Sequence, residues 1–387
     1  MKRTLALILL LLLMLQAVSC IRLTPLPDGE TTDSDSSETT ADTSADPPDQ
    51  LPLWSSAEDA AADFFESTED SIVDISRREY SYSEMESDLA LLQKTYPAHF
   101  SYRTFGTSAA GRSLYVAVLG NPDASRQILV SAGIHGREYL TPLLVMKKME
   151  FYLRYYDSCE YGGISYARLF EDCCFYIVPM TNPDGIMLSQ AGLDTLTDPQ
   201  LRAKVQSVYQ ADLSKGYTSQ ADIDEYLKYW KANANGVDLN RNFDALWEEY
   251  RMGEKVPCHK NYKGEAAASE PETRAMVELT DSLSNPAAVL CIHSQGEVLY
   301  WDGGQDEGLR TRTRNFTQEL ANRTGYDLID EQNNDASLSD WCALERGLIA
   351  VTVETGKGTC PLYIDKFEAI WFDCFDLLPL SASYFEH

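Results

Sequence analysis

Three runs of apolar residues in this chain end in side chains that can bind a metal or move a proton. Residues 128–134 lead into His135-Gly136-Arg137-Glu138, residues 289–292 into His293-Ser294, and residues 349–353 into Glu354-Thr355-Gly356. The chain has five histidines, and two of them stand at these ends. A His and a Glu three apart at a strand terminus can chelate one ion, and a ligand from a second strand closes the site. Two imidazoles, one carboxylate and a water are the donor set of a catalytic zinc ion. Such an ion acidifies water and polarises a carbonyl. A further carboxylate, Glu354, can take a proton from that water and hand it to a leaving amine. The bland alternatives are two buried structural histidines and a strand-end Glu354 paired with Lys357. One strand end alone leaves the matter open; the three together favour His135, Glu138 and His293 as ligands of one zinc per chain.

These side chains need a scaffold that brings strand ends together. The apolar runs at 114–119, 127–134, 174–179, 287–292 and 348–353 read as buried strands. Helical stretches at 85–94, 142–156, 270–283 and 310–324 lie among them. Ser269-Glu270-Pro271-Glu272 has the spacing of a capping box, with Ser269 as the cap. Residues 187–229 have no strand pattern and read as a helical insertion. The alternation predicts an α/β fold with a mixed, mostly parallel central sheet flanked by helices on both faces. In such sheets reactive groups collect beyond the carboxyl ends of the strands.

The bulk properties narrow the partners. The 387 residues hold 60 acids against 32 bases, a formal charge of −28. A surface this acidic repels phosphate backbones, which excludes nucleic acid as a partner. The N-terminus begins Lys2-Arg3, continues in an apolar run over 5–15, and reaches Ala17-Val18-Ser19-Cys20. This is a secretory signal, too short to span a bilayer. The Cys after small residues resembles a bacterial lipoprotein signal. That resemblance implies that Cys20 is acylated and anchors the protein on the extracytoplasmic face of a bacterial membrane. Residues 25–50 carry eight acids, no base and no aromatic residue, the composition of an extended tether. The expected division is a lipoprotein-type signal over 1–19, an acidic Ser/Thr/Pro-rich tether over 20–55 and a folded region over 56–387 that carries the candidate zinc ligands. Eight cysteines remain after Cys20, and their irregular spacing fits disulfides or free buried thiols.

Over about residues 78 to 375 the chain resembles the zinc metallocarboxypeptidase family, in seven pieces that occur in family order. They are Gly106-Thr107-Ser108 with Gly111-Arg112-Ser113; His135-Gly136-Arg137-Glu138; Asn182-Pro183-Asp184-Gly185; residues 236–243 around Asp238-Leu239-Asn240-Arg241; Ser269-Glu270-Pro271-Glu272; His293-Ser294; and Thr352-Val353-Glu354-Thr355-Gly356. The resemblance implies that His135, Glu138 and His293 hold zinc and that Glu354 is the general acid and base. It also implies that Asn240 and Arg241 hold a substrate carboxylate, a task suited to the bidentate guanidinium fork.

The chain departs from the pancreatic-type pattern at two places. Trp230 is followed by Lys231 where those members carry Arg, and Glu331-Gln332-Asn333-Asn334-Asp335 lacks the substrate-covering tyrosine. The pocket-base position two before Trp341 is Ser339. Residues 230–233, 293–301 and 356–362 are similar to the bacterial branch that hydrolyses γ-D-glutamyl-diaminopimelate bonds. The expected substrate is therefore a peptide, foremost a peptidoglycan stem peptide. The alternatives are a scavenging carboxypeptidase, a catalytically silent peptide-binding lipoprotein and an amidohydrolase of small acylated amino acids, which the Asn240-Arg241 pair disfavours.

Overall fold

The computed structural model describes residues 57–67, 71–76, 79–332 and 334–386. Cys20, the signal and the tether lie outside the described residues.

In chain order the elements are α1 (Ala57–Glu66), α2 (Tyr82–Thr95), β1 (Phe100–Thr107), β2 (Ser113–Leu119), β3 (Arg126–Ala132), α3 (Leu140–Arg154), β4 (Glu160–Tyr161), β5 (Ile164–Ser165), α4 (Tyr166–Asp172), β6 (Cys173–Val178), α5 (Pro183–Ala191), α6 (Pro199–Lys215) and α7 (Ile223–Leu227). They continue as α8 (Pro271–Asp281), β7 (Pro286–His293), β8 (Val298–Tyr300), α9 (Glu307–Thr324), β9 (Asp327–Ile329), α10 (Leu338–Arg346), β10 (Ile349–Glu354), α11 (Phe367–Cys374) and α12 (Leu377–Tyr384). Each sequence-predicted strand and helix is present, with ends shifted by a few residues. The stretch expected as a helical insertion is helical, in α6, α7 and part of α5.

Eight strands form one sheet in the order β1-β2-β6-β3-β7-β10-β8-β9. The central pairs β6/β3, β3/β7 and β7/β10 are parallel, whereas β1/β2, β2/β6 and β10/β8 are antiparallel. Side chains of the inner strands alternate between two cores, as the period of two requires. Ile128, Val130, Leu290, Ile292, Val351 and Val353 face a core built with α3, α9, α11 and α12. Leu129, Val289, Cys291 and Ala350 face the other, with α8 and α10 behind them. A third apolar cluster, including Leu188, Val205, Tyr226 and Trp230, packs α5, α6 and α7 together.

Register brings the chemistry together. In the β10/β7 pair, Glu354 stands opposite His293. In the β3/β7 pair, Ala132 stands opposite Ile292. The turn after β3 therefore opens beside the last residue of β7.

One local expectation is corrected. The N-cap of α8 is Glu270, not Ser269, and no side chain caps it. Pro271 takes the first helical position, where its fixed φ and missing N–H cost nothing. That moves the cap one residue on and frees the pattern residues for tertiary bonds. Ser269 Oγ donates to Glu270 Oε1 at 2.9 Å. Glu272 accepts from the Ala109 backbone N–H at 2.9 Å and from Asn233 Nδ2 at 3.2 Å.

All eight described cysteines are free and buried, which decides between the two readings of their spacing. Burial pushes the Cys159, Cys173, Cys174 and Cys291 thiols up to about 12, so they pack as inert small hydrophobes.

Candidate active site

The turn between β3 and α3 is built to hold two ligands close together. Gly136 packs against backbone: a Cβ there would lie 2.3 Å from the Gly185 carbonyl oxygen and 2.7 Å from that of Trp230. Asn182 caps α5 by accepting from the Gly185 N–H at 2.8 Å. Its Nδ2 donates to the Ile134 and Ala232 carbonyls, each at 3.1 Å. One asparagine thus ties the His135 turn to the segment that carries Lys231.

His135, Glu138 and His293 converge, all buried, with ligand atoms within 4.8 Å of one another. His135 Nδ1 lies 2.7 Å from Glu138 Oε1, and His293 Nδ1 lies 3.1 Å from Glu138 Oε2. The Ser294 N–H donates to Glu138 Oε2 at 3.2 Å. Burial alone would raise the Glu138 carboxyl, but His135 and His293 outweigh it and hold it well below the usual carboxylate range.

These residues fit zinc in donor type and in spacing. Bonds of about 2.0–2.1 Å to N and O, set tetrahedrally, place ligand atoms roughly 3.3 Å apart. His135 Nε2 provides a further test. It is buried without a hydrogen-bond partner, yet Asp238 Oδ1 lies 3.3 Å away. With Nδ1 given to a metal, Nε2 must carry the proton, and Asp238 Oδ1 is placed to accept that N–H. Burial would raise the Asp238 carboxyl, but Lys231 and His135 outweigh this and hold it well below its ordinary value.

An open pocket adjoins this cluster, and His135, Glu354, Lys231, Asn240, Arg241 and Asp335 line it. Burial, with the Glu138 charge adding to it, pushes the Glu354 carboxyl up to about 7 against the pull of His293, Lys231 and Arg137. Lys357 bonds instead to Glu297, so the structural alternative for Glu354 is not realised. Lys231 Nζ lies 4.0 Å from Asp238 Oδ2. Arg241 donates to Tyr250 Oη at 3.1 Å and to the Asn240 carbonyl at 2.7 Å, and its Nη2 meets Asp335 Oδ2 at 3.1 Å. Asn240 Oδ1 accepts the Leu338 N–H at 3.2 Å. Ser339 lines the same pocket and meets Thr352 Oγ1 at 3.0 Å. Of the sequence-named residues, His135, Glu354, Asn240 and Arg241 line this pocket, and Glu138 and His293 cluster with His135 beside it.

Comparison with known proteins agrees with this arrangement. A family described as zinc carboxypeptidase matches residues 85–357. The chain belongs to the zinc carboxypeptidase family.

Relatives fall on both sides of that family. Gamma-D-glutamyl-L-diamino acid endopeptidase 1 of Lysinibacillus sphaericus is 32% identical over 297 residues, covering 76% of this chain and 70% of the relative. Human carboxypeptidase B is 28% identical over 207 residues, covering 53% of this chain and 42% of the relative. The crystal structure of carboxypeptidase A from Helicoverpa armigera superimposes with a TM-score of 0.58 at 19% identity, covering 84% of this chain and 77% of that one. This likeness establishes the metallocarboxypeptidase fold. The protein is a zinc metallopeptidase.

Two residues were present in the quoted motifs but received no role from sequence. Asp238 backs His135, and Arg137 stands close enough to act on the Glu354 charge. A strand-end position betrays a ligand, whereas a supporting contact depends on loops whose path the sequence does not reveal.

A second group, Asp212, Cys258 and His259, also brings metal-binding atoms together. Its members satisfy one another. His259 Nδ1 meets Asp212 Oδ2 at 2.7 Å, and the same carboxylate accepts from Tyr226 Oη at 2.7 Å and from Cys258 Sγ at 3.4 Å. The His259 carbonyl accepts the Lys231 and Ala232 N–H groups at 2.9 and 3.1 Å. The cluster is a buttress beneath Lys231.

Proposed function

We propose that this protein hydrolyses peptidoglycan stem peptides at the bond between D-glutamate, through its γ-carboxyl, and a diamino acid. The observation that carries this reading is the mainly polar pocket beside the His135–Glu138–His293 cluster, with Asn240, Arg241 and the small polar Ser339 on its wall. The similarity to the Lysinibacillus enzyme over three quarters of the chain supports it.

In this reading His135, Glu138 and His293 hold one zinc ion. When bound, that ion polarises the scissile carbonyl and acidifies water. Glu354 takes the proton from the attacking water and returns it to the departing amine. Lys231 supplies positive charge where the carbonyl oxygen becomes an anion. Asn240 and Arg241 hold a substrate carboxylate and fix the distance from that charge to the cleaved bond. An exported protein tethered through an acylated Cys20 would meet this polymer directly; the N-terminal sequence supports that placement.

The experiment is digestion of purified peptidoglycan fragments, read by mass spectrometry. Release of the diamino acid, free or still bearing the rest of its stem, supports the proposal. Cleavage confined to ordinary C-terminal peptide bonds would replace it with a scavenging carboxypeptidase, the reading favoured by the similarity to carboxypeptidase B.

A further inference from the structure

We infer that Asp335 is a specificity-determining residue: with Arg241 it forms a bipolar seat for a substrate residue that carries both a carboxylate and a free ammonium. The inference rests on the stem-peptide reading and names the part of the pocket that selects the diamino acid.

Arg241 is held on two sides by neutral groups of the protein, Tyr250 Oη and the Asn240 carbonyl. Its Nη2 points to Asp335 Oδ2 at 3.1 Å, and the two side chains are 14% and 30% exposed. The carboxylate-binding fork therefore faces a carboxylate supplied by the chain itself. Two other pocket acids are committed to local structure. Asp302 Oδ2 accepts from Arg310 Nε at 2.7 Å, and its Oδ1 accepts the Gly304 N–H at 3.0 Å. Asp340 Oδ2 accepts from the backbone of Asp335 and Ser337 and from Ser337 Oγ, closing the cap of α10. Asp335 is the pocket acid that stands against the substrate-carboxylate group.

A substrate residue bearing only a carboxylate must draw Arg241 from Asp335. It then leaves two anions beside one guanidinium in a half-buried site, where charge is poorly screened. A residue that also bears an ammonium exchanges partners instead. Its carboxylate takes the guanidinium, its ammonium takes Asp335, and every charge stays paired. The pocket is partly open to solvent, so a long side chain can bring the second charge back toward the rim.

The test uses the full-length, zinc-loaded protein and three peptides, L-alanyl-γ-D-glutamyl-X, with X as meso-diaminopimelate, L-lysine or L-norleucine. The wild type is expected to favour the two amine-bearing peptides over norleucine by about tenfold or more in kcat/KM. Asp335→Asn keeps the shape and an oxygen for Arg241 but removes the charge, and is expected to bring that ratio to within about threefold of unity. If Asp335 only steadies Arg241, all three substrates fall together and the ratio persists, which overturns the inference. A wild type with no preference for the amine overturns it as well. If the wild type cleaves none of the γ-linked peptides, the stem-peptide reading fails on its own. The ratio is then read on L-alanyl-L-alanyl-X with the same three residues, and the same outcomes decide.

Discussion

Glu354 stands beside the metal-binding cluster because β10 and β7 pair in register at their last residues, opposite His293. A carboxylate there can serve as base and then as acid without binding the ion. Glu354→Gln keeps its shape and removes proton transfer. The variant is expected to fold, to keep its zinc and to turn over at least about a hundredfold more slowly, within the range of general acid–base catalysis. Near-normal kcat in the zinc-loaded variant would place the base elsewhere. Asp238 acts at one remove, through the far nitrogen of His135. Asp238→Asn should weaken zinc binding about tenfold to a hundredfold, measured by competition with a chromophoric chelator, and unchanged affinity would show that His135 needs no such support. At this scale the sequence revealed the residues that end strands, since an ionisable group after an apolar run is conspicuous. It concealed those that work through loops. Asp238 is one acid among 60 until the fold carries it to His135.

The elements were legible for a similar reason. Strands β3, β7 and β10 are buried on both faces and read as nearly continuous apolar runs. The short strands β8 and β9 have three residues each and left no pattern to find. The start of α8 was misread because a proline at the first helical position outweighed a serine-to-glutamate spacing. The turn between β3 and α3 is the element that most constrains the site. Gly136→Ala would drive a methyl group into the Gly185 and Trp230 carbonyls, which are backbone and cannot swing aside. Overpacking of this kind costs about 1–3 kcal/mol. The variant should melt at a lower temperature and bind zinc more weakly, because His135 and Glu138 flank the displaced residue. A wild-type melting temperature with wild-type zinc affinity would mean that the turn can widen freely.

Across the whole molecule, excess negative charge meets burial at Glu272. Burial, with Asp184 nearby, pushes its carboxyl from 4.5 to about 8, against the help of the Ala109 N–H. The folded chain therefore holds a proton that the unfolded chain has released. That contribution to stability is complete below about pH 4.5 and is lost as pH rises to about 8, a change on the order of a few kcal/mol. Glu272→Gln stays neutral throughout, so urea unfolding at pH 5 and pH 8 should differ less than in the wild type; an unchanged difference would assign the pH dependence to other groups. The N-terminal anchor proposed at Cys20 would be a second property of the whole protein. Native protein should partition into detergent and Cys20→Ala should not, and equal release of both into water would remove the lipid from the account. The central claim is that one zinc ion, held where three strands end, is the catalytic centre. It is tested most directly by elemental analysis of the full-length protein beside a peptide-hydrolysis assay, for the wild type and for His293→Ala. The account predicts close to one zinc per wild-type chain, with both zinc and activity lost in His293→Ala. Zinc retained in that variant at the wild-type level, whether at Asp212, Cys258 and His259 or elsewhere, would contradict it.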